Sequence, residues 1–340
     1  MENTTRIRTT PRELARTERW VANHLLPSAD TLPFSFTYGD QSSAQLLSQW
    51  DPQCAQREID AQRMQYVLRW TDRKTGLVVR CEAVVYRDYP VVEWTVYFTN
   101  TGKADTPLLD NIQGMDVTLP RAGGTPCLLR SIRGDDATAV SYQPFTLPLA
   151  DGAHHRLVPV GGRPTDAAYP YFNLDCGEGQ GVIAVVGWPG QWAANFACDA
   201  PGTIRVTAGQ ELTHLKVLPG ETMRTPLSVL LFWDGDWLRA QNLWRHWMID
   251  HNLPRPGGKL PAPFTSCCIG LHQSEETELT AIEKLRKQGI QHDYWWMDAG
   301  WYPNDGNWAK VGTWEYDPVR FPRGIKAIAD NLHAHGQRLV

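Results

Sequence analysis

The residues best suited to chemistry lie in one short aromatic stretch that ends on a carboxylate, Asp298. Trp295 and Trp296 precede Asp298, and the chain then breaks at Gly300 and Trp301. Short apolar runs bounded by turn residues are typical of buried parallel strands. In barrel enzymes, a polar residue at the carboxyl end of such a strand faces the active site. Because carboxylates accept hydrogen bonds from hydroxyls and aromatic rings pack on sugar rings, the stretch indicates carbohydrate chemistry.

Strand alternation determines which aromatic residues accompany Asp298. Side chains two residues apart share a face, so Tyr294 and Trp296 are predicted on the face of Asp298, and Trp295 on the opposite face. His272 follows the end of the preceding predicted strand and can reach a substrate there. The predicted substrate-binding residues are Asp298, Trp296, Trp301 and His272.

Each of these residues also has a purely structural interpretation. An Asp directly after a buried strand often caps a turn, and Trp301 can pack under the loop that it begins. A structural role for His272 is equally compatible with its position. The chain contains 15 tryptophans among 340 residues, and large β-sandwiches bury such rings in their cores.

Composition excludes several function classes. The formal charge, 33 − 37 = −4, is too small to indicate binding to nucleic acid or to an anionic membrane. No apolar run approaches the ~20 residues of a membrane helix. The polar N-terminus lacks a signal-peptide core, which predicts a cytoplasmic protein. The seven cysteines show no CxxC spacing, and no phosphate-binding glycine motif occurs, so neither a metal nor a cofactor is expected.

Periodicity divides the chain into three parts. Residues 1–235 are predicted to form a large antiparallel β-sandwich, because short Val-, Tyr- and Trp-rich segments alternate with turns. Residues 236–262 are predicted as a helical and Pro-rich connector, with Asp236 capping the helix. Residues 263–340 alternate strand and helix, which predicts the first βα units of a (β/α)8 TIM barrel.

The strand segments of the first part are Met64–Trp70, Leu77–Tyr86, Val91–Phe98, Val182–Trp188, Thr203–Thr207 and Leu227–Trp233. In the last part, strands are predicted at Phe264–Leu271, Ile290–Asp298 and 337–340, with helices that begin after Ser274 and Pro322. A barrel needs eight strands, so we expect a truncated barrel, exposed apolar surface, and a longer complete protein.

Several motifs carry a family resemblance. The most specific are Tyr294-Trp-Trp-Met-Asp298-Ala-Gly-Trp-Tyr302, Gly312-Thr-Trp-Glu315, Asp317-Pro318 and Arg320-Phe-Pro-Arg-Gly-Ile325, with weaker matches at Gly187-Trp-Pro-Gly-Gln-Trp192 and Leu218-Pro-Gly-Glu221. With these motifs the chain resembles the N-terminal part of the glycoside hydrolase family 36 α-galactosidases, the melibiase type.

The resemblance implies a β-supersandwich followed by a catalytic barrel that hydrolyses terminal α-galactosides with retention. Retention uses two carboxylates, which the resemblance places on later barrel strands, after Val340. No catalytic residue is therefore expected within the chain, and the chain alone is expected to be inactive. The implied partner is an α-galactoside oligosaccharide or glycoconjugate, and the full-length enzyme is compatible with a homo-oligomer.

One departure from the family pattern concerns sugar specificity. Asp298 matches the first Asp of a pair that binds galactose hydroxyls, whereas Ala299 replaces the second. Two alternatives stay open for the function: an inactive or carbohydrate-binding fragment, and a galactosyl transferase similar to raffinose synthase.

Overall fold

The computed structural model describes residues 7–26, 29, 31–122 and 127–340. The chain forms two compact units, Met1–Asn252 and Leu253–Val340. The domain limits inferred from the sequence, 235 and 263, stay predictions.

The first unit begins with a helix, α1 (Pro11–His24), that the predicted β domain does not include. Thr10 caps it: the backbone N–H of Glu13 donates to Thr10 Oγ1 at 3.2 Å, and the Thr10 N–H donates to Glu13 Oε2 at 2.7 Å. This reciprocal pair is a capping box, and Pro11 occupies the first helical position. The local pattern Thr-Pro-x-Glu therefore explains where the helix begins.

The remaining elements of this unit alternate short strands with tight turns. The strands are β1 Ser35–Tyr38, β2 Gln41–Ser42, β3 Gln53–Asp60, β4 Arg63–Thr71, β5 Leu77–Tyr86, β6 Val91–Asn100, β7 Leu109–Gln113, β8 Met115–Pro120, β9 Cys127–Ile132, β10 Pro144–Leu149, β11 His154–Leu157, β12 Tyr171–Asp175, β13 Gln180–Gly187, β14 Trp192–Ala197, β15 Thr203–Gln210, β16 His214–Leu215, β17 Thr222–Arg224 and β18 Leu227–Asp234. The helices are α2 Ser43–Leu47 and α3 Trp237–Trp247, followed by a π-helical turn at Met248–Asn252.

Within the described residues, these strands form three antiparallel sheets, which confirms the predicted supersandwich. The largest has the order β10-β9-β12-β13-β18-β6-β5-β4-β3, with β17 also paired to β6. The two smaller sheets have the orders β16-β7-β1-β2 and β11-β14-β15-β8. Their inner faces share one hydrophobic core, in which Trp94, Trp192, Phe98 and Phe196 are fully buried.

Strand β18 is buried on both faces. Leu230 lies in the main core, whereas Leu231 lies in a second cluster with Leu243 and Trp247 of α3. The Asp236 side chain caps α3 by accepting hydrogen bonds from the backbone N–H groups of Leu238 and Arg239. Helix α3 therefore covers the outer face of the large sheet and is part of the core of the first unit.

The second unit, residues 253–340, is described throughout and has the parallel arrangement that begins a barrel, as predicted. Its order is β19 Ser266–Cys267, α4 Glu275–Lys287, β20 Tyr294–Trp295, α5 Lys326–His333 and β21 Arg338–Leu339. β20 pairs in parallel with both β19 and β21. Ser274 caps α4 by accepting the Thr277 N–H, as predicted.

The strands of this unit are shorter than predicted. The segment Phe264–Leu271 forms only the two-residue strand β19, because the backbone turns into the left-handed region at Gly270 (φ 105°) and at His272 (φ 56°). The predicted strand Ile290–Asp298 likewise reduces to β20. No helix among the described residues has the length and apolar character to cross a membrane.

A buried ion pair joins α1 to α3 in the first unit. Glu13 is fully buried, and its carboxylate accepts hydrogen bonds from Arg239 Nη2 at 3.1 Å and from the Asp234 N–H at 2.9 Å. Burial raises the pKa of Glu13, but the bonds from Arg239 and from the backbone outweigh burial and hold the pKa below its ordinary value of 4.5. The fold therefore stabilises the charged form.

Removing the cation of this pair should destabilise the first unit. Arg239→Ala leaves the Glu13 carboxylate buried without its partner, so we expect the free energy of unfolding at pH 7 to fall by about 3 kcal/mol in urea titrations followed by circular dichroism. Because the folded-state pKa of Glu13 is lowered, this contribution exists above pH 4.5 and is lost as the pH falls through the folded pKa. The difference in the free energy of unfolding between wild type and Arg239→Ala should therefore shrink as the pH falls.

Arg245→Ala is the matched control, since Arg245 lies on the same helix and is exposed. An equal loss of stability in both variants would show that the buried pair has no special role.

Candidate functional site

The site is organised by the burial of Trp295 at the centre of the parallel sheet. Trp295 is fully buried against Ile282 of α4 and Ile328 and Leu332 of α5. Its indole Nε1–H donates to Glu278 Oε2 at 2.6 Å. The odd-numbered side of β20 therefore faces the helices.

The other side of β20 is open. Trp296 is 52% exposed and Val340 is 60% exposed. These residues are neighbours in the hydrogen-bond ladder, since the Met297 N–H donates to the Val340 carbonyl at 2.9 Å. Tyr294 lies two residues before Trp296 in the chain. Its ring is edge-on to that of Phe264, with 5.2 Å between the two ring centroids. The strand alternation predicted for Tyr294, Trp295 and Trp296 is thus present in the fold.

Asp298 comes two residues after Trp296, at the carboxyl end of β20, and is exposed. Its Oδ1 accepts the backbone N–H of Ala299 at 2.6 Å. An ionised carboxylate has about four acceptor positions, so this local bond leaves room for hydroxyl donors from a ligand.

His272 reaches the same end of the sheet from the loop after β19. Its backbone N–H donates to the Ala299 carbonyl at 3.2 Å, so the loops after β19 and β20 are joined next to Asp298. Its ring packs against Gly300: a Cβ at position 300 would lie 2.4 Å from His272 Nδ1. Gly300 (φ 94°) and His272 (φ 56°) both have left-handed backbones, and the two residues interlock.

The side-chain amide of Asn304 determines which nitrogen of the His272 ring carries the proton. The Gly306 N–H donates to Asn304 Oδ1 at 3.0 Å, which identifies the other end of the amide as the NH2 group. That group lies 3.2 Å from His272 Nδ1. Because an NH2 only donates, Nδ1 is the acceptor, and Nε2 carries the proton and is available as a donor.

Arg320 holds together the loops that carry these residues. Its guanidinium donates to the Gln273 carbonyl after β19 and to the Tyr302 carbonyl after β20, each at 2.9 Å. Its Nε donates to Asp317 Oδ2, also at 2.9 Å. That hydrogen bond is the largest cause of the lowered pKa of Asp317. One planar cation thus fixes the carboxyl-end loops.

Trp301 lies against the hydrophobic cluster under the loop, where it is half-buried and packs edge-on to Tyr302 at 5.1 Å. Its carbonyl accepts the Asp317 N–H at 3.0 Å. The structure therefore places Asp298, Trp296 and His272 at the exposed carboxyl end, whereas Trp301 is half-buried against the cluster. The predicted role of Trp301 in substrate binding stays a prediction.

Several solved structures with a similar fold are α-galactosidases. An α-galactosidase from Lactobacillus brevis matches 91% of the chain with a TM-score of 0.67 at 15% identity, over 44% of its own length. A family 36 α-galactosidase from Geobacillus stearothermophilus, solved with 1-deoxygalactonojirimycin, also matches 91%, with a TM-score of 0.69 at 16% identity, over 45% of its own length. Further variants of that enzyme were solved with stachyose and with raffinose.

The chain has the fold of the N-terminal part of a family 36 α-galactosidase. It spans less than half the length of these enzymes. Among curated proteins, α-galactosidase 2 of Pediococcus pentosaceus is 23% identical over 158 residues, which are 45% of this chain and 21% of that protein. The family model that matches, over residues 259–340, describes the TIM-barrel domain of the family 31 glycosyl hydrolases.

The family 36 resemblance noted in the sequence is thereby confirmed, whereas the roles of the individual site residues stay predictions. The sequence-based set missed Asn304 and Arg320. Both had a detectable signal, since Asn304-Asp-Gly306 is a turn sequence and Arg320 opens the Arg-Phe-Pro motif of the family. Neither signal shows which distant carbonyl or ring the side chain contacts.

Enlarging Gly300 should disrupt the site. Gly300→Ala puts a Cβ into the His272 ring and also forces an L-residue into a left-handed backbone, which together should cost about 2–4 kcal/mol. We expect faster hydrogen exchange in peptides that cover residues 270–306, measured by mass spectrometry.

Gly306→Ala is the control for backbone strain alone, because Gly306 (φ 67°) lies in the same loop and its Cβ would meet open space. The double variant His272→Ala/Gly300→Ala should recover part of the protection. If Gly300→Ala and Gly306→Ala have equal effects, the interlock is not a constraint.

Glu278 should make the second unit less stable at neutral pH. Burial raises the pKa of Glu278 above its ordinary value of 4.5, although the bond from Trp295 partly opposes the rise. The fold thus favours the protonated form, so its stability contribution is present below pH 4.5 and is lost as the pH rises through the folded pKa.

Glu278→Gln keeps an oxygen acceptor for Trp295 and removes the charge. We expect it to raise the free energy of unfolding at pH 7 by about 1 kcal/mol and to flatten the pH dependence above 4.5 in urea titrations. Glu276→Gln, at an exposed position of the same helix, should leave both unchanged. A loss of stability in Glu278→Gln would contradict the buried-charge argument.

Proposed function

We propose that this chain is the N-terminal part of a glycosidase that hydrolyses terminal α-galactosides with retention, and that Asp298 binds hydroxyls of the terminal sugar. The observation that carries the proposal is the exposed carboxylate at the end of β20, beside Trp296 on the open face of the sheet. In barrel enzymes this end of the strands holds the active site.

The catalytic carboxylates are proposed to lie after residue 340, in the part of the barrel that this chain does not cover. The buried carboxylates of the second unit are already engaged on the helix side. Glu275 Oε1 accepts a hydrogen bond from Arg323 Nε at 2.5 Å, and Glu278 Oε2 accepts one from the indole N–H of Trp295. A retaining pair needs two carboxyl groups about 5–5.5 Å apart across the scissile bond. On this proposal, residues 1–340 alone bind substrate weakly and do not hydrolyse it.

Substrate binding follows from the charges and donors at the carboxyl end. The Asp298 carboxylate accepts hydroxyl hydrogen bonds, which are strengthened by its charge. His272 offers Nε2–H as a donor, and Trp296 offers an exposed ring face. Because Ala299 supplies no second carboxylate, the sugar hydroxyls that a second Asp would bind must be read by other groups. The raffinose and stachyose complexes of the Geobacillus enzyme support α-galactoside oligosaccharides as the substrate class.

Replacing the Asp298 carboxylate tests the pocket. Asp298→Asn keeps the shape but puts a donor where acceptors stood, so in the full-length protein kcat/KM for a nitrophenyl α-galactoside should fall by about 1.5–3 kcal/mol in transition-state free energy, tenfold to a hundredfold or more. The melting temperature should stay nearly constant, because the residue is exposed.

Asp305→Asn is the control, since Asp305 is an exposed carboxylate of the same loop and pairs with Lys310 at 2.7 Å. Ala299→Asp provides the complementary change and should shift preference towards galactosides. Unchanged turnover of every α-glycoside in Asp298→Asn, together with a lower melting temperature, would identify Asp298 as a structural cap.

A further inference from the structure

Trp314 combines high exposure with an unfavourable backbone. Its side chain is 73% exposed, and its φ of 56° lies in the left-handed region. A bulky residue with positive φ is a genuine outlier, and such strain persists only where the surroundings enforce it. Within the described residues, neither burial nor backbone preference explains a tryptophan at this position.

The ring is held in place from one side by two other aromatic residues. Its centroid lies 6.2 Å from that of Trp301 and 5.8 Å from that of Tyr302. Tyr302 is buried and Trp301 is half-buried in the cluster beneath the loop. Trp314 therefore rests on a fixed aromatic base while its other face is exposed.

The loop that carries Trp314 is anchored at both ends. At its start, Asn304 is buried and bonded to the His272 ring. At its end, the Asp317 N–H donates to the Trp301 carbonyl, and Arg320 binds the Asp317 carboxylate. The exposed ring is thus presented by a closed loop, which lowers the entropy that a ligand must remove on binding.

The position of the ring relative to Asp298 follows from the chain. Trp301 comes three residues after Asp298, a Cα separation of at most about 10 Å, and Trp314 lies against Trp301. The exposed ring is therefore carried by the loop that directly follows the Asp298 pocket. A ligand that extends from the pocket towards this loop would meet the ring.

We propose that Trp314 is a specificity-determining residue that stacks on the sugar following the terminal galactose of an oligosaccharide. The inference rests on the proposed function, because it places a second sugar beside the Asp298 pocket. On this proposal Trp314 is the residue that stacks on that sugar, and Trp301 is the residue that positions Trp314.

The test compares a ligand that fills only the galactose pocket with one that extends beyond it. The first is 1-deoxygalactonojirimycin and the second is raffinose. Dissociation constants are measured on the full-length protein by ligand-observed NMR, in which any hydrolysis is visible as free sugar. The informative quantity is the ratio of the raffinose constant to the iminosugar constant.

Trp314→Gly should raise this ratio about tenfold, which corresponds to about 1.4 kcal/mol. Its melting temperature should be equal to or above that of wild type, because glycine relieves the left-handed backbone. Trp314→Phe keeps an aromatic face and should restore most of the wild-type ratio. Val319→Ala, at an 86% exposed site after the same loop, should leave the ratio unchanged.

The outcomes separate the inference from the proposed function. If wild type binds both ligands and Trp314→Gly leaves the ratio unchanged, the stacking role is wrong and the galactose pocket stands. If Trp314→Gly lowers the melting temperature and weakens both ligands equally, Trp314 is a structural residue. If wild type binds neither ligand, the proposed function fails and the inference fails with it.

Discussion

The candidate site depends on the burial of a single indole ring. Trp295 fills the space between the parallel sheet and the two helices that cover it, and Glu278 fixes its orientation. Because side chains of a strand alternate, this burial forces Trp296 to the opposite face. A shift of one residue in the pairing of β20 would bury Trp296 and expose Trp295. The register Cys267–Trp295–Leu339 is therefore the constraint that places the carboxyl-end chemistry.

Two buried glutamates show how the fold treats charge differently in its two units. Glu13 has a guanidinium and backbone N–H donors around it, so its carboxylate stays ionised despite burial. Glu278 has only the neutral indole donor of Trp295, so burial dominates and the protonated form is favoured. Glu13 is thus an ionic link in the first unit, whereas Glu278 in the second unit is a carboxyl group whose ionisation is opposed by burial. The difference lies in the partners and not in the residue type.

Much of the fold was predictable from the sequence, because strand limits and helix caps depend on residues that are neighbours in the chain. The strand Leu77–Tyr86 has the predicted limits, and the caps Asp236 and Ser274 act as their sequences indicate. Helix α1 was missed although its capping box is present, because the segment is polar on average and only a narrow side of the helix is apolar.

The site was predictable only in part. The face of Trp296 follows from strand periodicity, which requires no knowledge of partners. Asp298 lies three residues after the end of β20, so its predicted face stays a prediction. The roles of Arg320 and Asn304 depend on contacts with carbonyls and rings far away in the sequence, such as Gln273 and His272. Trp301 and Trp314 have the same residue type in the same loop, and only packing distinguishes the half-buried ring from the exposed one.

The interlock of Gly300 with His272 has an evolutionary consequence. The imidazole occupies the volume where a side chain at position 300 would begin, so the two positions share one fixed space. A lineage can enlarge residue 300 only after residue 272 has become smaller or moved, and the order of the two changes matters. Positions 272 and 300, 28 residues apart in the sequence, should therefore drift together and not independently.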